Sequence, residues 1–585
     1  MRTVYKSRFR CLWFFLQFCL FTFVSPQLSL YAQQEEDIVL KALKDELARS
    51  VDQLQLKDME KPYYIEYRVE ETETFAVRAI FGAIVSSNRD KSRFLQVGVR
   101  VGDYSFDNSG FSSPRFRYSS SGFRPLAIED DYAALRQDIW LATDAAYKQA
   151  VEQLAGKRSL LKTKVETEEI PDFSREEPVT SINPRESMKI KSSEWERLVR
   201  SLSEIFKEFP IIYYSGVNFS LTTTNKYFIN SEGTVVRQPV TLYMLVAQAS
   251  TRAQDGMPLK HFVPFLGTNR QSLPTEKEIE EAIRKMAEEL TALTSAPVMD
   301  QYFGPVLVTA EAATEIFAQT LAPQLSGDRP LLMDQRGSAV VMPERNLSNR
   351  LNRRVLPSFF TVVDNPTQTF YENHSLIGSY KVDDQGVAGQ KVILIEDGFL
   401  KTLLMSRRPR KEIDRSNGHG RSVSMLSSTA HYSNLFVEAT EARSFAELKQ
   451  ELIELCKDEG LSYGLLIKKL DNRFFTPRDF QDMFGMAQAR SRRETVTAPL
   501  LVYKVYVEDG REELVRGLSI DEMSVRMLRD IVSVGDDYSV NNLLARGNLP
   551  TSVVAPSVLF EEIELSKPQD PLQKPALLKH PFFKK

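Results

Sequence analysis

The sequence predicts an α+β protein, with a mixed α/β domain at the N-terminus and a β-rich domain at the C-terminus. Up to about residue 300, stretches with helical spacing of apolar residues alternate with stretches rich in β-branched and aromatic residues. Beyond Pro305, short strand-like runs separated by Gly, Asp and Pro turns dominate. The length of 585 residues is also too great for one ordinary core. We therefore predict two domains, at residues 33–300 and 301–566, and a Pro- and Lys-rich tail at 567–585.

Residues 1–32 have the pattern of a secretory signal peptide. Basic residues precede an apolar run from Leu12 to Val24, and the sequence SLYA ends at a plausible cleavage site after Ala32. The run is too short to span a bilayer comfortably, which favours a cleaved signal peptide over the alternative, an uncleaved anchor. We expect an exported, periplasmic protein that contacts the membrane only through this peptide, before cleavage.

The charge and the cysteine count narrow the function classes. The formal net charge is −3, and cleavage would make it more negative because the removed peptide contains basic residues and no acidic ones. Nucleic acid is therefore not an expected partner, since phosphate contacts need clustered positive charge. Cys456 is the one cysteine that cleavage would leave, so no internal disulfide framework is expected.

The elements of the N-terminal domain follow from the two kinds of periodicity. Helices are expected where apolar residues recur every three or four positions, and strands where they alternate. The predicted order is helix 36–56, strands 63–87 and 93–106, a polar loop 107–124, helix 130–165, a charged surface segment 166–192, helix 193–208, a hairpin 218–251 that turns at Glu232 and Gly233, and helix 276–293.

The C-terminal domain is predicted to contain many short strands and one clear helix. The strand runs are VLPSFFTVVD, GSYKVDD, QKVILIEDG, FLKTLLMS, APLLVYKVYVEDG and APSVLFEEIEL. In the helix SFAELKQELIELCKDEG, Ser444 and Glu447 form a capping box and Gly460 ends the helix. Cys456 adjoins the apolar face of this helix, so we interpret it as a buried structural thiol and not as a nucleophile.

Local motifs for catalysis are absent from the sequence. Only five histidines occur, and no two of them lie within five residues of each other, so a helical histidine pair for zinc is excluded. There is no GxSxG, Walker, CxxC or GxGxxG motif.

One basic loop, RSNGHGRS, carries candidate binding residues. Arg415, His419 and Arg421 could contact an anionic group or a peptide carboxylate as a substrate or interface loop. The favoured interpretation of His419 is nevertheless an exposed turn histidine. Solvated charge explains the arginines of the region equally well, namely Arg407, Arg408, Arg410 and Arg415. A hydrolase in which His419 pairs with Asp383 or Asp384 is a further hypothesis, and it is disfavoured because both aspartates are residues typical of turns.

A longer stretch, GPVLVTAEAATEIFAQTLAPQLSGD at 304–328, resembles the TldD/PmbA family, which is also labelled modulator of DNA gyrase and zinc peptidase. Other pieces match in the same order, among them NSEGT at 230–234, LPSFFTVVDNPT at 356–367 and SNGHGR at 416–421. The resemblance implies an N-terminal α/β domain and a β-rich C-terminal domain of TldD/PmbA type.

The resemblance also locates the positions of the family's metal site. In catalytic members a helix carries HExxxH, whose histidines bind zinc and whose glutamate activates water, and a cysteine near the C-terminus completes the site. A gap-free alignment puts Ala318, Gln319 and Pro323 at these positions, and no cysteine occurs between Asp537 and Pro556. We therefore expect no catalytic residue, no metal ligand and no cofactor in this chain.

What remains of the motif is expected to be a packing helix. Thr309 is a candidate cap, Pro323 should end or kink the helix, and an apolar stripe lies between them. The stripe consists of Ala312, Ala313, Ile316, Phe317 and Leu321.

This pattern is similar to the TldE or PmbA branch, whose members lack the metal motif. The resemblance implies a non-catalytic subunit that pairs with a TldD-like zinc-binding subunit in a heterodimeric complex acting on peptides. The alternative is a stand-alone peptide-binding or envelope protein with a degenerate peptidase fold.

Overall fold

The computed structural model describes most of the chain after residue 36. The described residues are 37–113, 122–162, 169–335, 338–341, 346–422, 428–472, 474–476, 496–520, 523–546, 548–568 and 580–581. The predicted signal peptide lies outside them, as does most of the predicted tail. Within these residues, no helix is both long and apolar enough to cross a membrane.

The N-terminal part is built on a seven-stranded, largely antiparallel sheet. Its order is β4-β2-β1-β6-β7-β5, and β8 pairs with β7. The first strands are long because the alternating pattern continues for 17 to 19 residues, and Thr74 of β1 pairs with Asp90 of β2 and Thr222 of β6. The strand bounds are β1 Pro62–Ile80, β2 Ala83–Val101, β3 Phe111–Ser112, β4 Phe123–Pro125, β5 Thr180–Ile182, β6 Tyr214–Asn230, β7 Val235–Arg252 and β8 Pro258–Gly267. Strand β3 belongs to a separate small sheet.

Helices cover one face of this sheet and leave the other free for the C-terminal domain. Because side chains alternate along a strand, Val69 and Val77 of β1 lie on the same face and pack in two helix-covered cores. Thr72 lies on the opposite face, together with Thr222 and Thr224 of β6. The covering helices are α1 Ile38–Gln53, α2 Tyr132–Leu161, α3 Ser192–Glu204 and α4 Glu276–Leu293.

The C-terminal part is built on a twelve-stranded mixed sheet. Its central path is β16-β15-β12-β19-β26-β9-β21-β22-β23, while β24 and β25 pair with β26 and β20 pairs with β25. The strand bounds are β9 Gln301–Val308, β10 Leu332–Gln335, β11 Ser338–Val341, β12 Phe360–Asp364, β13 Phe370–Tyr371, β14 His374–Ser375, β15 Val392–Glu396, β16 Phe399–Leu400, β17 Gly420–Arg421, β18 Thr429–Ala430, β19 Asn434–Ala439, β20 Ala442–Arg443, β21 Tyr463–Leu470, β22 Pro499–Tyr506, β23 Glu512–Val515, β24 Ser519–Ile520, β25 Ile531–Ala545 and β26 Leu549–Ser566. The mixed α/β and then β-rich order confirms the predicted fold class, whereas the exact domain boundaries stay predictions.

Helix α5, Ala310–Thr320, packs against this large sheet. Its predicted apolar stripe is confirmed, since all five side chains are buried in the main C-terminal core. Thr309 occupies the predicted N-cap position, but its hydroxyl makes no capping hydrogen bond and instead donates to the Lys468 carbonyl at 3.0 Å. A 3₁₀ turn, Ala322–Leu325, follows the helix, as the position of Pro323 predicts.

Helix α6, Phe445–Asp458, has the predicted ends. Ser444 and Glu447 form the capping box, and Gly460 adopts a left-handed φ of +71° just after the helix. Cys456 is fully buried, and burial raises the pKa of its thiol to about 11. A thiol with this pKa stays protonated at neutral pH, which agrees with a structural role.

Two segments predicted as surface structure differ from the prediction. Part of the charged segment 166–192 is buried. Phe173 is only 2% exposed, and the Arg100 guanidinium stacks on its ring, with the guanidinium carbon 3.7 Å from the ring centroid. The loop 107–124 contributes strands β3 and β4 to two sheets. Hydrophobic periodicity predicts neither the burial of the first segment nor the strands of the second, because both features depend on contacts with distant parts of the chain.

A buried ion pair joins the two halves of the molecule. The Arg407 guanidinium is 1% exposed and donates to both carboxylate oxygens of Glu232, at 2.7 and 2.8 Å. It also donates to the Ser174 carbonyl at 2.5 Å and stacks on the ring of Phe173. The interpretation of Arg407 as solvated charge is therefore wrong.

We predict that Arg407→Met destabilises the protein by about 3–5 kcal/mol, because it leaves the Glu232 carboxylate, which is only 13% exposed, without its cation. Thermal or denaturant unfolding of the purified protein measures the effect. The matched control is Lys148→Met, which removes an exposed ion pair with Asp144 and should change stability by less than about 1 kcal/mol. Equal effects of the two substitutions would contradict the prediction.

Candidate functional site

Helix α5 forms one wall of a cavity of about 600 Å³, here termed the helix cavity. The three positions that the family resemblance assigns to the metal motif, Ala318, Gln319 and Pro323, all line it. The C-terminal stretch in which the resemblance expects a cysteine lines it too, through residues 543–546. The remaining lining residues are Glu315, Ala322, Ser326, Ala430, His431, Tyr432, Asn472, Phe474 and Thr497.

The side chains at the three aligned positions do not offer metal ligands. The Ala318 methyl group and the Pro323 ring have no lone pairs to donate. The Gln319 amide is already bound: its oxygen accepts from the Thr497 backbone N–H at 2.9 Å, and its nitrogen donates to the Thr497 hydroxyl at 3.1 Å. A carboxamide also cannot take a proton from water as a carboxylate does.

Glu315 is the main polar group of the helix cavity, and sequence reasoning missed it. Its side chain is buried and accepts hydrogen bonds from the amides of Asn472 at 2.7 Å, Gln319 at 3.0 Å and Asn541 at 3.1 Å. Burial raises the pKa of this carboxyl group, although the three amide donors oppose the rise. No sequence signal marks Glu315, because two of its three partners, Asn472 and Asn541, lie 157 and 226 residues away along the chain.

His431 and Arg546 are two further lining residues that sequence reasoning did not single out. The His431 ring stacks on Tyr432 with centroids 4.6 Å apart, and burial lowers the pKa of its imidazole to about 4. The imidazole is therefore neutral at neutral pH. The Arg546 guanidinium donates to the Thr429 hydroxyl at 3.0 Å.

The zinc ion that the family implies does not fit these residues. A catalytic zinc site needs three protein ligands, drawn from histidine, cysteine and carboxylate side chains. Across the part of the chain that the structure describes, no three such side chains lie close enough together to hold a metal ion. In the helix cavity, the only lining carboxylate or imidazole groups from described residues belong to Glu315 and His431.

His419 occupies a fully buried site, so its prediction as an exposed turn histidine is wrong. Its Nε2 atom lies 2.9 Å from Oδ1 of Asp364, and its Nδ1 atom lies 2.9 Å from the Asn417 carbonyl oxygen. Asp364 is also fully buried and accepts from the backbone N–H and the hydroxyl of Ser433. The pair cross-links the glycine-flanked loop to strand β12, and neither residue lines the helix cavity.

Asp383 and Asp384 have other partners, which argues against the histidine hydrolase hypothesis. Asp383 accepts from the backbone N–H groups of Gln385 and Val387, which confirms the turn interpretation. Asp384 forms an ion pair with Lys226 at 3.0 Å.

The structure does not bring the three candidate loop residues to one surface. The Arg415 side chain is 58% exposed and pairs with Glu176 at 3.0 Å. Arg421 is buried, lies over the ring of Tyr380 at 4.8 Å and donates to the Pro550 carbonyl at 2.9 Å. Two of the three residues therefore stabilise the fold from within.

A second cavity, of about 530 Å³, lies between the hydroxyl-bearing face of the N-terminal sheet and the C-terminal domain. We term it the sheet cleft. Thr72, Thr222 and Thr224 form part of one wall, and Tyr380 and Arg421 belong to the other. Phe474 and Leu544 line both the sheet cleft and the helix cavity, so the two spaces adjoin.

Comparisons with known proteins agree with this architecture. Residues 301–567 match the model of the PmbA/TldA metallopeptidase C-terminal domain. A metalloprotease of Methanocaldococcus jannaschii is 34% identical over 116 residues, which are 20% of this chain and 24% of that relative. The match thus spans only about a quarter of the relative's length.

Two solved structures share the fold over most of the chain. TldE from Thermococcus kodakarensis superposes with a TM-score of 0.55 and 13% identity, covering 90% of this chain and 100% of the other. A Thermotoga maritima protein, described as a proposed modulator of a DNA gyrase, superposes with a TM-score of 0.55 and 17% identity, covering 86% and 96%.

The fold and the matched C-terminal domain define a metallopeptidase-like protein. Residues 301–567 carry the C-terminal domain of the TldD/PmbA family, as the sequence resemblance predicted.

We predict that His419→Ala destabilises the fold by about 2–4 kcal/mol, because it leaves a void and removes a partner of the buried Asp364 carboxylate. Thermal unfolding measures the loss. The matched control is His374→Ala, an exposed position in the β13–β14 hairpin, where a change within about 0.5 kcal/mol is expected. A stable His419→Ala variant would contradict the structural role.

The stability of the protein should depend on the charge state of His431. The folded-state pKa of its imidazole, about 4, lies below the unfolded value of 6.5, so the unfolded chain binds the extra proton between these pH values. Stability is then lost as the pH falls, by at most about 1.4 kcal/mol per pH unit from this group. The melting temperature of His431→Gln should therefore fall less steeply from pH 7 to pH 4.5 than that of the wild type. Parallel curves would contradict this assignment.

Proposed function

We propose that this chain is the non-catalytic, TldE-like subunit of an exported peptidase complex. The observation that carries the proposal is the convergence of Ala318, Gln319 and Pro323 on one cavity without a usable zinc ligand among them. The zinc ion and the water-activating carboxylate would then come from a TldD-like partner subunit. This chain would contribute an interface and part of the enclosure around a peptide substrate.

The shape and the lining of the cavities support a role in holding peptides. The helix cavity, at about 600 Å³, has the size of typical small-ligand sites. Its wall combines apolar groups such as Leu543 and Phe474 with polar groups such as Glu315 and Arg546. A peptide offers the same combination of apolar side chains and charged ends.

The periplasmic location of the complex and the class of its partners are inferred mainly from the sequence. The predicted signal peptide supports export to the periplasm, and the negative net charge of −3 argues against a nucleic-acid partner. The shared fold with TldE supports assignment to the branch without the metal motif.

The second candidate function is a stand-alone peptide-binding or envelope protein. It is favoured by one observation: separate segments of this chain, from α5 to the β25–β26 hairpin, line the helix cavity on several sides. A neighbouring gene for an exported relative with HExxxH would favour the complex, and its absence would favour the stand-alone protein.

The complex is tested by metal analysis and peptide cleavage with the mature chain alone and together with an exported HExxxH relative. We expect substoichiometric zinc and no cleavage for the chain alone, and a stable complex that cleaves peptides faster than the relative does by itself. Stoichiometric zinc with activity in the isolated chain would refute the proposal. A relative that neither binds the chain nor gains activity from it would favour the stand-alone function.

A further inference from the structure

Glu315 is a buried carboxylate whose bonding partners in the described structure are all neutral. The side-chain partners are the amides of Asn472, Asn541 and Gln319, and no Lys, Arg or His nitrogen of the described residues lies within 4 Å. Buried carboxylates are usually paired with a cation or protonated, because an isolated buried charge is costly. Glu315 instead lines an open cavity from which a cation could approach.

The ionisable neighbours of Glu315 place little positive charge at this end of the helix cavity. Burial raises the pKa of Glu315, the three amide hydrogen bonds lower it, and the nearby Asp471 carboxylate raises it to a smaller extent. Asp471 is itself paired with Lys260, whose Nζ atom lies 3.0 Å from Oδ2 of Asp471. His431 also lines the cavity but supplies no positive charge at neutral pH, since burial lowers the pKa of its imidazole to about 4.

The donor chemistry favours an ammonium group over a metal ion. The amides of Asn472, Asn541 and Gln319 turn their N–H groups, not their oxygens, toward the carboxylate. The Gln319 oxygen is bound to the Thr497 N–H. A calcium or magnesium ion needs six or more oxygen ligands, whereas an ammonium group needs only acceptors for its protons.

The remainder of the cavity limits where such a group can bind. Arg546 lines the cavity through the turn after β25, and no carboxylate of the described residues lies within 4 Å of its guanidinium. A cation would be repelled there and attracted at Glu315. We propose that the helix cavity binds a primary ammonium group of a short peptide at Glu315, from either the amino terminus or a lysine side chain. This inference rests on the proposed handling of peptides.

Calorimetric titration of the mature chain with three peptides tests the inference and separates the two sources. The peptides are trialanine, N-acetyl-trialanine, and an N-acetylated tripeptide with a central lysine. Trialanine should bind about tenfold or more tightly than its acetylated form if the amino terminus is the source. The lysine peptide should bind more tightly than N-acetyl-trialanine by that factor if the side chain is the source.

Glu315→Gln should abolish the preference for the ammonium-bearing peptide. The matched control is Glu311→Gln, because Glu311 lies one turn earlier on helix α5, is exposed and pairs with Lys469 outside the cavity. Glu311→Gln should keep the preference in full. Circular dichroism and melting curves establish that both variants are folded, and the three-peptide comparison on the wild-type chain needs no variant.

Equal affinities of the wild type for the three peptides, or no binding at all, would overturn the inference. A preference that survives in a folded Glu315→Gln variant would overturn it as well. These outcomes are distinct from a failure of the proposed function, because assembly with the HExxxH relative and gain of cleavage activity do not depend on recognition of an ammonium group.

Discussion

The buried carboxylate of Glu315 holds helix α5 in place and thereby shapes the cavity. Through its amide partners it connects the helix to the segment after β21, at Asn472, and to strand β25, at Asn541. Gln319 extends the network to Thr497, just before β22. A buried polar group that loses a partner costs about 1–3 kcal/mol, so each member of this network restrains the others. The wall of the helix cavity is therefore fixed by polar contacts as well as by the apolar stripe on the other side of the helix.

The contact between the two domains likewise depends on a buried charged group whose hydrogen bonds are all made within the protein. Arg407 brings its guanidinium into an interior where Glu232, the Ser174 carbonyl and the Phe173 ring surround it. This pairing places the hydroxyl-bearing face of the N-terminal sheet opposite the C-terminal domain and so leaves the sheet cleft between them. Because Phe474 and Leu544 line both the sheet cleft and the helix cavity, the two spaces adjoin beside the domain contact.

Sequence patterns predicted the elements well and the polar interior poorly. Helix α4 has the predicted bounds, and the capping box of α6 is present, because both depend on residues three or four positions apart. The convergence of residues 318–323 with 543–546 followed from the family resemblance and not from periodicity. His419 and Arg407 were assigned to solvent because their partners, Asp364 and Glu232, lie 55 and 175 residues away. A glycine-flanked, arginine-rich stretch has the same composition whether it is solvated or buried, and only the tertiary contacts distinguish the two.

The hydrogen bonds of Gln319 require an amide at this position and do not fit a carboxylate. A glutamate at this position, as in HExxxH, would replace the Gln319 amide nitrogen that now lies 3.0 Å from Oε2 of Glu315, so two carboxylates would face each other. Like charges at this distance cannot both ionise easily, and the pKa of one of them would rise. The same change would remove the donor to the Thr497 hydroxyl. The carboxylate of Glu315 and a carboxylate at position 319 would thus compete for one place, so the present network around Glu315 depends on an amide at position 319.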